Sequence, residues 1–168
     1  GIAKYEYSIG TSSGGTDVVD WTVNATDTSF TQTSLSLSSG TAYYISVKAT
    51  DNAGNESTTI TSDGVTVDTA APVAGNVFDG TDTTDSDWTN DTTSLTFTWS
   101  GFSDTLSGIQ KYEYAIGTFS SGTDVVDWTD NSTDTTITRT DLTLANGTAY
   151  YVSVRSTDNV GNVSTIAT

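Results

Sequence analysis

Two stretches of this chain are nearly the same. GTAYYISVKATDNAGN runs from Gly40 to Asn55, and GTAYYVSVRSTDNVGN runs from Gly147 to Asn162. The match extends in both directions. Gly1-Ile2 aligns with Gly108-Ile109, and the register holds without a gap to Thr61 and Thr168, with about two thirds of the positions identical. KYEYSIGT at Lys4 becomes KYEYAIGT at Lys111, and GTDVVDWT occurs at both Gly15 and Gly122. The spacing is 107 residues, the size of one small domain per repeat. Residues 62–107 occur only once.

The once-only segment supplies the rest of one repeat. Asp68-Thr69-Ala70-Ala71-Pro72 reads as a linker and holds the chain's one proline, which cannot donate to a central ladder. A strand is expected near Val73–Phe78. A second is expected over Ser94–Trp99, where Leu95, Phe97 and Trp99 alternate inward. Ile109–Ile116 puts Tyr112, Tyr114 and Ile116 on one face. Val125, Val126 and Trp128 form a short following strand, Ile137 sits in another, and Ala149–Ser156 turns Tyr150, Val152 and Val154 inward. In the first copy a closing strand is expected at Gly64–Val67. No helical periodicity competes over a long window. About seven short strands in roughly a hundred residues, parted by turn signals, make an all-β sandwich. The expected domains are 1–68, a partial sandwich lacking its two opening strands, and 69–168, lacking its closing strand. Uncovered edges and core are a liability, so a stretch of a longer array is expected.

Composition bounds the function. There are 21 acidic and 5 basic residues, a formal charge of −16. That excludes binding driven by nucleic-acid phosphates, which needs a basic face. It disfavours anionic membrane surfaces. Cys, His and Met are absent. No disulfide staples the fold, and the commonest general base and zinc ligand are missing. No apolar run approaches the roughly 20 residues that span a bilayer. Ser and Thr make up about a third of the chain, a composition suited to exposed sheet.

These residues resemble the fibronectin type III family. The resemblance rests on Trp99, on Ile2 with Tyr5 and Ile109 with Tyr112, and on two further runs. The first run is Leu37, Gly40, Thr41, Tyr43, Ile45, Val47 and Ala49. The second is Leu144, Gly147, Thr148, Tyr150, Val152 and Val154, with Ser156 in the alanine place. It implies a tyrosine corner at Tyr43 and at Tyr150, each hydroxyl bonded back to nearby backbone, and a structural core role for Trp99. The strings VDTAAP, TDNAGN and TDNVGN further resemble bacterial immunoglobulin-like repeats of large surface adhesins. No Arg-Gly-Asp tripeptide supports receptor binding.

In a fibronectin-like sandwich the loop after the second strand and the loop Asp158–Asn162 share one end with the N-terminus. Asp68, Asp104, Asp158 and Asn162 would then converge, with Asp51 and Asn55 as first-copy counterparts. Their oxygens suit Ca²⁺, and the adhesin resemblance implies Ca²⁺ at such junctions. The same residues also make a good turn without an ion. The acidic loop of Asp79, Asp82, Asp85, Asp87 and Asp91 lacks EF-hand spacing and reads as solvated.

Trp21 and Trp128, with Tyr44 and Tyr151 outward, are candidates for sugar stacking; aromatics also pack routinely on sheet faces. Glu6 and Glu113 alternate outward beside solvent, with no partner base indicated. Lys4 and Lys111 also point outward, which disfavours an isopeptide bond. Sequons at Asn24, Asn90, Asn131 and Asn146 would matter only in a glycosylating host.

The expected role is non-catalytic: a spacer repeat of a large secreted or cell-surface prokaryotic adhesin or extracellular fibre, with neighbouring repeats as partners, stiffened by calcium at domain junctions. The alternatives are an accessory module of a secreted polysaccharide-degrading enzyme, or a repeat that itself binds carbohydrate.

Overall fold

Every element of this chain is a strand, and alternation of large apolar and small polar residues marks the longer ones. The computed structural model describes residues 1–168. It divides into two compact units, Gly1–Asp68 and Thr69–Thr168. There are eleven strands. Unit 1 holds β1 (Ile2–Gly10), β2 (Val19–Val23), β3 (Ala42–Asp51), β4 (Ile60–Thr61) and β5 (Val65–Thr66). They form one antiparallel sheet in the order β2-β1-β3-β4, with β5 also pairing β3.

Unit 2 holds β6 (Asn76–Asp79), β7 (Leu95–Ser100), β8 (Ile109–Gly117), β9 (Val126–Asp130), β10 (Thr136–Arg139) and β11 (Tyr151–Asp158). They form two sheets, β10-β7-β6 and β11-β8-β9. The inward side chains of both sheets meet in one core. Phe97 and Trp99 of β7 are essentially inaccessible, as are Ile116 of β8 and Val154 of β11. Trp99 meets Tyr112 edge-on at 5.7 Å, and Phe97 meets Tyr114 at 5.6 Å. Burying each such side chain contributes about 1.5–3 kcal/mol. The all-β sandwich expected from the alternation is what forms.

The outward faces are tied differently. Across β7 and β10 the hydroxyls of Thr96 and Thr138 lie 2.8 Å apart, and those of Thr98 and Thr136 lie 3.2 Å apart. Ser46 and Thr61 hydroxyls meet at 2.9 Å in unit 1, and Ser153 and Thr168 at 3.0 Å in unit 2. Facing hydroxyls of this kind stabilise a strand pair without charge.

The two copies part company at one element. Thr136–Arg139 is a strand because it pairs with β7, Ile137 lying opposite Phe97. Its counterpart around Phe30 is not a strand. Unit 1 contains no β7 equivalent, and a strand needs a ladder partner for its backbone groups. Phe30 instead lies flat on Tyr7, with ring centroids 3.7 Å apart.

Candidate functional site

β11 ends at Asp158 because the chain there folds back on its own carboxylate. Asp158 Oδ1 accepts from the Val160 and Asn162 N–H groups at 3.0 and 2.8 Å, and Oδ2 accepts from Asn162 Nδ2 at 2.7 Å. Gly161 takes a φ of +98° to allow the reversal, a conformation open to glycine at no steric cost. Asp158 is completely buried. Burial opposes its ionisation, but the Asn162 side chain and the Asn162 and Val160 N–H groups outweigh that and hold its pKa below the usual carboxylate value.

Asp104 does the same for the loop between β7 and β8. Its Oδ1 accepts from Leu106 and Gly108 N–H at 3.1 and 2.7 Å. Asn159 then joins the two loops, donating from Nδ2 to Ser107 O at 2.7 Å and from its backbone N–H to Gly108 O at 3.0 Å. A carboxylate oxygen of Asp104 comes within 4.8 Å of one of Asp158. Asp104, Asp158 and Asn162 are therefore grouped at one end of unit 2. In unit 1, Asp51 accepts from Ala53 N–H, Asn55 N–H and Asn55 Nδ2 at 2.9, 2.9 and 3.0 Å, and it stays partly exposed. Asp68 closes unit 1, next to Val67, whose N–H donates to Thr41 O at 3.1 Å. The oxygen-only donor set of Asp104, Asp158 and Asn162 fits a hard cation. The carboxylates already serve the loops that carry them.

Asp158 gives a directional pH prediction. A depressed carboxylate pKa adds stability above the unfolded value of 3.8, and that stability is lost as pH falls through the lower folded value. Asp158→Asn is expected to melt several degrees below the parent chain at pH 7. Below pH 3.8 the gap should narrow. Paired melting curves from pH 2 to 7 check this; a gap independent of pH would refute the carboxylate's role.

The acidic loop before β7 also uses its carboxylates locally. Asp85 accepts from Asp79 N–H at 2.9 Å and Asp82 from Thr84 N–H at 2.7 Å. The Ser94 hydroxyl, with the Thr93 N–H and hydroxyl, holds Asp91 down to about 2.

The two tryptophans lie on the outward faces of β2 and β9, half-buried. Arg155 from β11 stacks its guanidinium 4.3 Å from the Trp128 ring centre, and the Lys48 ammonium lies 5.0 Å from that of Trp21. Each cation is in turn paired. Arg155 Nε donates to Glu113 at 3.2 Å, and Glu113 also pairs Lys111 at 3.4 Å. Glu6 pairs Lys4 at 3.0 Å and Lys48 at 3.9 Å. Glu6 and Glu113 face outward as their alternation implies, yet their side chains are only 13% and 17% exposed. The expectation that they stand beside solvent is corrected: the long side chains on both flanking strands lie over them. This Trp–cation–Glu–Lys row repeats in both units. Only its signal at Lys48 and Arg155, a cation retained in both copies, was readable beforehand. One face of each indole is thereby occupied.

Tyr43 of β3 and Tyr150, just ahead of β11, point back along the chain. Tyr43 Oη accepts from Ser38 N–H at 2.8 Å, and Tyr150 Oη accepts from Ala145 N–H at 2.8 Å. With three strands packed on three and this hydroxyl contact before β11, unit 2 has the layout described by the resemblance. Its sandwich is fibronectin type III-like.

No family model matches the chain. Exoglucanase B of Cellulomonas fimi is 35% identical over 147 residues, which is 83% of this chain and 12% of that protein. Chitinase A1 of Niallia circulans is 35% identical over 141 residues, 82% of this chain and 18% of that protein. The chain thus spans less than a fifth of either relative. Among solved structures, the chicken CNTN1 FN1–FN3 domains align over 98% of this chain and 51% of theirs, at 14% identity and a TM-score of 0.49.

Proposed function

We propose that this chain is a non-catalytic, fibronectin type III-like module of a secreted, extracellular polysaccharide-degrading enzyme. Two relatives of one third identity carry the reading, one named an exoglucanase and the other a chitinase. Each shares only a small part of its length with this chain, as a repeated accessory module would. The site chemistry agrees: the carboxylates at Asp104 and Asp158 are engaged by their own loops, and Glu6 and Glu113 are paired with cations. The mechanism is mechanical. A nine-residue strand such as β8, at about 3.3 Å per residue, gives a stiff element of roughly 30 Å. Such a unit holds other parts of an enzyme apart on an extended substrate, and the acidic surface keeps it soluble.

The full reading frame encoding this chain tests the proposal. A glycoside-hydrolase domain in the same frame supports it. A long array of these repeats with a surface anchor and no catalytic domain sinks it in favour of the adhesin or fibre reading, which rests on the linker and TDNxGN strings. The purified chain should release no reducing sugar from amorphous cellulose or chitin; release above the blank would overturn the non-catalytic assignment.

Calcium belongs to this proposal as the ion for the Asp104, Asp158 and Asn162 oxygens. An ion at about a hundred times its Kd adds about 2.7 kcal/mol to the folded state. Melting in calcium should exceed melting in EDTA, and Asp158→Ala should abolish the difference. Equal midpoints would leave these residues as loop caps alone. Direct sugar binding through Trp21 and Trp128 is the weaker version of the proposal. It predicts adsorption to insoluble cellulose or chitin that Trp128→Ala removes while the melting midpoint stays unchanged.

A further inference from the structure

We propose that Trp88 and Phe119, exposed at one end of unit 2, form a binding site for an amine-bearing glycan. The indole stacks on a sugar ring, and the aspartates around it meet the sugar's ammonium groups. Register places both aromatic residues at that end. Asp79, which closes β6, lies opposite Phe97 of β7. Phe97 packs on Tyr114 of β8 and Trp99 on Tyr112, so β7 and β8 run in opposite directions. The loop 80–94 between β6 and β7 and the turn 118–122 after β8 therefore leave the sandwich at the same end. The two sheets that carry them are about 10 Å apart.

The fold does not account for either ring. Trp88 is 91% exposed and Phe119 60%, whereas tryptophan is highly buried on average. Neither belongs to the core of unit 2. Phe119 also departs from the repeat. The aligned residue 107 positions earlier is Ser12, within GTSSGGTDVVDWT against GTFSSGTDVVDWT. The turn closes in the same way with either residue: Gly122 N–H donates to Phe119 O at 2.8 Å, and Gly15 N–H to Ser12 O at 2.9 Å. The phenyl ring is thus additional to what the turn needs.

The loop around Trp88 is pinned on both sides. Gly80 N–H donates to Thr96 O at 2.8 Å and Ser86 N–H to Asp79 O at 3.1 Å. Beyond Trp88, Asp91 accepts from Thr93 and Ser94 N–H at 2.7 and 3.1 Å. The indole stands out between these two anchors.

Charge selects the ligand. Asp82, Asp85 and Asp87 are exposed on the same loop. The ion pairs of the chain end on Glu6, Glu56, Glu113 and Asp130, and none reaches this loop. Its uncompensated carboxylates repel an anionic lipid surface or an acidic polymer and attract a cation. An indole face takes both an apolar ring face and an ammonium group, and an amino sugar offers the two together. The choice of a saccharide rests on the polysaccharide reading above; the choice of an amine rests on these aspartates.

Calorimetric titration of the full chain with a β-1,4-linked glucosamine hexamer at pH 5.5 tests this. Trp88→Ala should weaken binding about tenfold, and Phe119→Ser by a smaller factor. Melting midpoints should not move, because neither ring is in the core and serine already fills the second position in unit 1. Asp87→Asn and added salt should each weaken binding. The indole N–H resonance that disappears in Trp88→Ala should shift on titration, while that of Trp128 stays in place. Cellohexaose and a lysine hexapeptide should each bind about tenfold more weakly, since the first lacks the ammonium groups and the second the sugar face. Equal binding of cellohexaose would overturn the amine, and equal binding of the lysine peptide would overturn the sugar. Shifts at Trp21 or Trp128 in place of Trp88 would overturn the site, as would self-association through Trp88 without glycan. None of these outcomes touches the reading-frame test, so the site can fail while the module assignment stands.

Discussion

Replacing Trp99 by Ala is expected to cost unit 2 about 3–5 kcal/mol, a large part of what a domain of this size has to lose. Trp99 is 1% exposed and stands between the sheets with Phe97, Tyr112 and Val154 around it. Its removal leaves a cavity that the two rigid sheets cannot close, and it takes away the edge-on contact with Tyr112. Trp99→Phe should cost far less, about 1 kcal/mol. That variant keeps a ring in the core. It also deletes the buried Trp99 Nε1, which has no hydrogen-bond partner, and an unmet buried donor is itself unfavourable. Urea unfolding of both variants, followed by near-ultraviolet circular dichroism, makes the comparison. Equal losses for Ala and Phe would mean that the ring does not organise the core.

The second large effect is backbone crowding at Gly117. A methyl group there would lie 2.5 Å from both the carbonyl carbon and Cα of Gly122, and 2.7 Å from Asp124 Oδ1. Two of these three are main-chain atoms, so no rotamer change relieves the clash. The turn must open, at the expense of the bonds from Thr118 N–H and Oγ1 to Asp124, 3.0 and 2.8 Å long. Gly117→Ala is expected to cost about 2–3 kcal/mol by this overpacking. Gly147→Ala is the matched control. Its φ is +77° with open space around it, so it should cost only the left-handed penalty of about 1–2 kcal/mol. Thermal melts of the two variants should rank in that order, and the reverse order would contradict the close approach of residues 117 and 122. Gly10 of unit 1, crowded by Gly15 and Asp17, should behave like Gly117.

What was legible in the sequence follows from how local each signal is. The strands β7, β8 and β11 were readable because alternation is a property of the segment itself, and their inward apolar residues Phe97, Trp99, Tyr114, Ile116, Val152 and Val154 are buried. Strand formation at Thr136–Arg139 was less so. TSFTQT and TTITRT read alike, yet only the second is a strand, because pairing depends on a neighbour far away in the chain. The short β4 at Ile60–Thr61 lacked any alternation to announce it. The cover over Glu6 and Glu113 depends on register across three strands, which no single segment encodes. At the loop ends, Asp-Asn-x-Gly-Asn announced a carboxylate-centred turn. The grouping of Asp104 with Asp158 came only from the fibronectin-like topology, and burial of Asp158 was not encoded in the motif at all.

The hydroxyl rungs along β7–β10, between β3 and β4, and from Ser153 of β11 to Thr168 have one further consequence. Four of the five basic residues already serve the rows around Glu6 and Glu113, so the chain has too few cations left to tie its other outer faces by ion pairs. Serine and threonine rungs titrate nowhere in the working pH range and are not weakened by dissolved ions in the way that surface charge pairs are. These strand pairs are thus held by contacts indifferent to brine and to mild acid, while the charge left over is all of one sign and favours solubility.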